Sequence, residues 1–228
     1  MLIRRGVLFI LGSWLSLLLA QGPQFDFLTV ADGLAANVVL SIHRDQQGFV
    51  WVGSTGGLQR YDGYEFQTIP ALQGAGIKTI TEDAAGGLWV GTAADGLWYR
   101  GPQGEHWQSL AFDAQGDTLF PYRGINQIIC DAHGQIWVAT ARRLVRIQPR
   151  ASFRVETVPA KEDEPHGLLP GKDLSLALDS AGNLWVATYH EGFSLLAADQ
   201  LQLPLEQMTW LRQPLGSDDF PLQYARLL

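Results

Sequence analysis

The chain has 228 residues, with 16 Lys and Arg against 23 Asp and Glu, a formal net charge of −7. That acidic balance argues against a nucleic-acid partner, whose binders carry basic patches, and it excludes no small ligand because steering depends on the local field. The single cysteine, Cys130, rules out an internal disulfide; inside the apolar run Ile128-Ile129-Cys130 it reads as a buried thiol, although His133 follows three residues on.

In chain order, residues 1–20 are expected to be a signal peptide. Arg4 and Arg5 precede an apolar run from Gly6 to Leu19, and Ala20 offers a small residue before Gln21-Gly22-Pro23. A basic start, a short apolar core and a small-residue exit describe an export signal. The alternative is an uncleaved anchor, but the run is only about 15 residues and carries Ser13 and Ser16, short of the roughly 20 needed to span a bilayer. No Cys follows Ala20 to take a lipid, and no later apolar stretch has spanning length, so a periplasmic location is expected.

The remainder, 21–228, is dominated by a repeat, D-x-x-G-x-x-W-V-(G/A)-(S/T). It occurs with Asp45, Gly48 and Trp51; with Asp83, Gly86 and Trp89; with Asp131, Gly134 and Trp137; and with Asp179, Gly182 and Trp185. The Asp-to-Trp distance is always six, whereas the Trp-to-Trp steps are 38, 48 and 48. Fixed internal spacing with elastic gaps marks a supersecondary unit with variable loops, and a period of about 40–50 residues built from short strands marks a β-propeller. The expected fold is therefore all-β, with four-stranded antiparallel blades.

Each unit reads as strand A, a turn at Asp-x-x-Gly, strand B bearing the Trp, a second turn, strand C and a weaker strand D. Strand A is apolar six and three residues before the Asp: Val39 and Ile42, Ile77 and Ile80, Ile125 and Ile128. In the fourth unit Asp173 breaks the pattern, either at a channel mouth or through a one-residue slip that places Leu174 in the core. Strand D is expected at Tyr64–Ile69, His106–Leu110, Phe153–Val158 and near Gln207–Leu211. Blades then span about 38–70, 76–111, 124–158 and 173–211. Phe220-Pro221-Leu222 parallels Phe120-Pro121-Tyr122, so 220–228 is expected to start a fifth blade, leaving the ring incomplete.

The recurring Trp is expected to pack between neighbouring blades, its N–H reaching a backbone carbonyl. The recurring Asp is expected to hold its own turn, because equivalent turns lie far apart around a ring. Paired-carboxylate catalysis needs groups roughly 5–10 Å apart.

Phe25-Asp-Phe27-Leu28-Thr29-Val-Ala-Asp32-Gly33-Leu34 and the run Asp45 to Phe66 resemble the opening and first blade of a two-component regulator propeller. The resemblance covers Phe25 to about Leu196. It implies the periplasmic sensor head of membrane-bound histidine kinases and similar receptors. Such heads continue into further blades, an immunoglobulin-like domain, a membrane helix and output modules, none of which this sequence contains. It also implies a partner: those missing C-terminal parts or a separate output protein, with a homodimer as another way to complete the ring. The third and fourth units depart from the pattern, with Ala139 and Ala187 in place of Gly, and Arg142-Arg143 in place of the Gly of the third B–C turn.

Function is expected where loops vary on a rigid scaffold. The A–B turns are short and uniform, whereas the B–C turns and D–A loops vary and share the opposite face. Three groups there are candidate ligand-binding residues for a small molecule or saccharide: Tyr189-His190-Glu191, the pair Arg142 and Arg143, and Tyr122-Arg123 beside Phe120. No cofactor or metal site is expected, and no kinase, cyclase or hydrolase motif is present. The alternatives are an exported scaffold for protein interaction, or a lyase or hydrolase related to streptogramin lyases or Asp-box propellers. An Asp-box enzyme needs an arginine cluster and a nucleophile contributed by several blades, and a lyase needs a His and a metal-binding group facing the channel. Of the five His, His133 lies on the wrong face, His43 and His106 read as strand residues, and only His166 and His190 remain.

Overall fold

The computed structural model describes residues 25–104, 106–111, 120–148, 153–160 and 164–214. The expected signal peptide and the expected start of a fifth blade lie outside the described residues. Among the described residues, sixteen strands form four sheets of four, each a simple antiparallel meander. Blade 1 comprises β1 (Val39–Arg44), β2 (Val50–Ser54), β3 (Gly57–Tyr61) and β4 (Phe66–Thr68). Blade 2 comprises β5 (Ile77–Glu82), β6 (Leu88–Thr92), β7 (Leu97–Arg100) and β8 (Gln108–Ser109). Blade 3 is β9 (Ile125–Cys130), β10 (Ile136–Thr140), β11 (Leu144–Gln148) and β12 (Arg154–Val158). Blade 4 is β13 (Lys172–Leu178), β14 (Leu184–Tyr189), β15 (Gly192–Leu196) and β16 (Leu211–Pro214). The first strands β1, β5, β9 and β13 neighbour one another in turn, so the blades follow an arc with these strands innermost.

The repeated Asp does two jobs in every blade. Its Oδ1 accepts the backbone N–H four residues on: Phe49 to Asp45 at 2.9 Å, Gly87 to Asp83 at 2.8 Å, Gln135 to Asp131 at 2.9 Å and Asn183 to Asp179 at 2.9 Å. Its Oδ2 accepts the Trp indole N–H: Trp51 at 2.7 Å, Trp89 at 2.9 Å, Trp137 at 2.8 Å and Trp185 at 2.9 Å. The expected backbone carbonyl is thus not the indole's partner. A buried carboxylate is the stronger acceptor, and the turn places it within reach. The glycine three residues after the Asp has φ between 77° and 94° in all four turns, where any side chain is strained.

Among the described residues the core is three interblade clusters. Trp51 and Leu58 meet Ile77, Ile80 and Leu88; Trp89 and Leu97 meet Ile125, Ile128 and Ile136; Trp137 and Leu144 meet Leu174, Leu176 and Leu184. Trp51, Trp89 and Trp137 are buried on this account, whereas Trp185 is only half-buried because no described blade packs beyond it. The opposite end shows the same effect. Ile42 is 67% exposed, although Ile80 and Ile128 at the same place in their blades are 7% and 3% exposed. At the glycine of strand B a Cβ would stand 2.5 Å from Ile125 Cγ2 if placed on Gly91, so the next inner strand needs that hydrogen. Blade 3 tolerates Ala139 there because blade 4 offers no isoleucine in that position, and Ala187 is exposed.

Further details decide between expectations or depart from them. Asp173 is exposed and Leu174 is buried, and the β13–β14 register shifts between Lys172 and Ser175. The slip is therefore the correct reading. The fourth outer strand begins at Leu211, not near Gln207, because two 3-10 turns, Ala198–Gln200 and Leu205–Gln207, occupy the link from β15. That link buries Leu201 and receives Arg146, a 1% exposed guanidinium that donates to the Leu201 and Leu203 carbonyls and pairs with Glu156 at 2.8 Å. His106 lies outside β8. Cys130 is half-buried and its Sγ–H donates to the Asp131 carbonyl; burial pushes its pKa up, which suits an inert thiol.

Two stability experiments follow from this packing. Trp137→Ala is expected to cost about 3–5 kcal/mol in denaturant titrations, and Trp185→Ala clearly less because that ring lacks a facing blade. Equal losses would refute the interblade role. The second concerns Asp179. Burial alone raises its pKa, but donors from Trp185, Asn183 and Ala181 outweigh burial and hold it below its ordinary 3.8. A depressed folded pKa contributes stability that is present above the unfolded value and is lost as pH falls through the folded one. Asp179→Asn should therefore show a shallower acid-side loss of stability than the wild type in unfolding titrations at pH 6 and pH 3. Parallel losses would assign the acid sensitivity to other groups.

Candidate functional site

The face opposite the Asp turns is built from B–C turns fastened in two ways. The Ser or Thr that ends strand B donates its hydroxyl to the carbonyl that closes the turn: Ser54 to Gly57 at 3.2 Å, Thr92 to Gly96 at 2.9 Å, Thr140 to Arg143 at 3.1 Å and Thr188 to Gly192 at 3.0 Å. Backbone bonds then tie the turns to segments entering the next blade. Gly74 N–H donates to Gly56, Ala93 to Gly76, Gly96 to Arg123 and Asp173 to Ala141, all at 2.8–2.9 Å. The turns and the D–A segments therefore share one face, and their side chains stand on a fixed frame.

Between blades 3 and 4 this face opens into a cavity of about 670 Å³. It brings together two of the three groups singled out in the sequence. Arg142 and Arg143 come from one wall; Tyr189, His190 and Glu191 come from the other; Pro170, Gly171, Lys172 and Asp173 supply the segment between them. The Tyr189 and His190 ring centroids are 3.8 Å apart at 56°, and Tyr189 is 63% exposed. Among the described residues, Asp173 (φ 48°) and His190 (φ 68°) are the non-glycine residues with positive φ, and both line this cavity. Residues held in the left-handed region gather where function over-determines them.

The third group is elsewhere. Tyr122 and Arg123 line a separate cavity of about 480 Å³ with Asp95, Trp98, Phe120 and Pro121, between blades 2 and 3. Tyr122 is partly committed to packing: its ring meets Phe120 edge-on at 5.4 Å, and its hydroxyl pairs with Thr157 at 2.9 Å. His166 lines a third cavity, of about 340 Å³, with Glu164, Glu206 and Trp210. Sequence reasoning passed over Lys172, and it met Asp173 only as a break in the strand pattern. That break was the available signal. No group of three or more metal-ligating side chains occurs among the described residues.

Four like sheets, each closed by the same Asp–Trp bond and packed on the next, define an incomplete β-propeller of four-stranded blades. The family model of the two-component regulator propeller matches residues 33–56. Among solved structures it is similar to the extracellular domain of BT4673 from B. thetaiotaomicron, assigned to the one-component or hybrid two-component systems. Identity is 25% over 82% of this chain and 25% of that one, with a TM-score of 0.56; a second structure of that domain gives 24% and 0.58 with the same coverage. This chain thus spans about a quarter of that domain's length. A streptogramin B lyase is similar in fold alone, at 13% identity over 81% of this chain and 57% of that one, TM-score 0.53. The same holds for PorZ, a surface component of the type-IX secretion system of Porphyromonas gingivalis, at 16% identity over 76% and 26%, TM-score 0.54. A search of the curated proteins finds no match.

The two left-handed residues allow a test of whether the cavity serves the fold. His190→Gly and Asp173→Gly are each expected to leave stability unchanged or to raise it by up to about 1 kcal/mol, as relieved strain offsets added freedom in the unfolded chain. A loss beyond about 2 kcal/mol in denaturant titrations would mean that these side chains hold the blade together.

Proposed function

We propose that this chain is the front part of a periplasmic sensor domain of a two-component signalling receptor, binding an extracellular small molecule or saccharide and acting by recognition without catalysis of its own. The supporting observation is the repeat match at residues 33–56 together with 25% identity to the extracellular domain of BT4673. The structure agrees with that reading in one respect: its rigid frame supports variable turns around cavities of a size that takes small ligands. The four repeated carboxylates are each spent on a turn and an indole, which leaves them poor candidates for acid–base work.

Export rests on the leader-like residues 1–20, and no helix among the described residues is long and apolar enough to cross a membrane. Output would come from further blades with membrane and kinase modules, or from a separate protein. A second reading, an exported scaffold or a homodimer, is favoured by the exposed apolar face of β1, where Val39, Leu40 and Ile42 are uncovered.

Reading the genomic DNA through and beyond codon 228 separates the two. The sensor reading expects further blades, a membrane helix and a kinase or cyclase, in frame or just past a frameshift. A stop codon followed by no such modules would overturn it and leave the scaffold.

A further inference from the structure

We propose that the cleft between blades 3 and 4 is a binding site for a monoanionic saccharide, with Arg142 and Arg143 taking a sugar carboxylate and Tyr189 taking the face of the ring. This deepens the sensor reading above and rests on it.

The charge of the cleft carries the argument. Most other cations of the blades are engaged, Arg44 and Arg123 outside this cleft excepted: Arg60 donates to Gln67, Arg100 lies over Trp51 and Trp107, Arg146 and Arg154 pair with Glu156, and Lys78 reaches Asn126. Arg142, Arg143 and Lys172 line the same cavity with no side-chain partner among the described residues, in a chain whose net charge is −7. Adjacent unpaired guanidinium groups present forks that match a carboxylate bidentately. Asp173 and Glu191 stand in the same cleft. Among the described lining residues, His190 aside, three cations stand against two carboxylates, an excess of one positive charge that one anionic group would balance. The two carboxylates are acceptors for hydroxyl groups, which a sugar supplies and a simple organic acid lacks.

Shape agrees with charge. The volume of about 670 Å³ falls within the usual span of roughly 300–1,000 Å³ for small-ligand sites. Tyr189 offers an exposed ring held against His190, an apolar platform for the C–H face of a pyranose. The walls are fixed before any ligand arrives. Thr140 and Thr188 staple the two turns, and Asp173 N–H donates to the Ala141 carbonyl across the blades. A site on a fixed frame loses little entropy on binding.

The test is calorimetric titration of the full chain with disaccharides that contain glucuronate or galacturonate, against their neutral glucose and galactose counterparts and a sulfated analogue. The uronides are expected to bind at least about tenfold tighter than the neutral sugars, consistent with charge-assisted hydrogen bonds. R142Q/R143Q should abolish that preference, and E191Q should raise uronide affinity a few-fold by removing a repelling charge, both with unchanged melting curves because these side chains are exposed. Tyr189→Ala should weaken uronide and neutral sugar alike. Equal affinity for charged and neutral sugars, tighter binding of the sulfated analogue, or insensitivity to R142Q/R143Q would each overturn the proposal. Failure here beside a downstream membrane helix and kinase would sink the cleft and spare the sensor. Uronide binding with no output module beyond codon 228 would do the reverse.

Discussion

One bond sets the geometry on which everything else rests: the indole N–H of strand B donating to the carboxylate that also holds the A–B turn. An aspartate with both oxygens occupied is a tolerable buried group, since each lone-pair direction used replaces a lost water. The bond fixes the indole by its N–H, and the ring packs against the aliphatic side chains of the next blade. The lock closes within six residues, while the packing it prepares joins residues tens of positions apart. Nothing in the unit encodes a blade count; number is left to the curvature of the arc and the need to hide open sheet edges.

Much of this was legible in the primary structure because it depends on short spacings. The Asp-to-Trp interval and the alternation in strand A pass directly into turns and buried faces. What could not be read depended on partners chosen in three dimensions. The indole's acceptor was ambiguous since carbonyls and carboxylates were both near in sequence. Arg146 sits between Val145 and Ile147, and a charge in a strand reads as exposed. It is buried only because the link after β15 lays two carbonyls over it. The exposure of Ile42 and Trp185 is not a property of those residues at all, since their equivalents in neighbouring blades are covered.

The candidate cleft shows the same division. Its composition was visible as two separate groups, Arg142 with Arg143 and Tyr189 with its neighbours, 46 residues apart in the chain. Their meeting follows from the blade-to-blade step, which places successive B–C turns side by side. Lys172 and Asp173 join them because they open β13 at the end that meets this face. Tyr122 went the other way: an aromatic in a loop proved to be half packing, through Phe120 and Thr157. Uniform staples beneath variable side chains let such a face change its chemistry without disturbing the blades.

The bare inner strand of blade 1 has a consequence for the order of assembly. Blades 2 to 4 each find a finished neighbour waiting as the chain emerges N-terminus first, and each can dry its inner aliphatic side chains at once. Ile42 and Val39 have no such neighbour on their side. In any ring completed from this arc, the first blade made is the last to be covered. Its wet face then holds back a share of the stability until the final contact forms, so closure arrives as one concerted event at the end of folding rather than as the last of several equal steps.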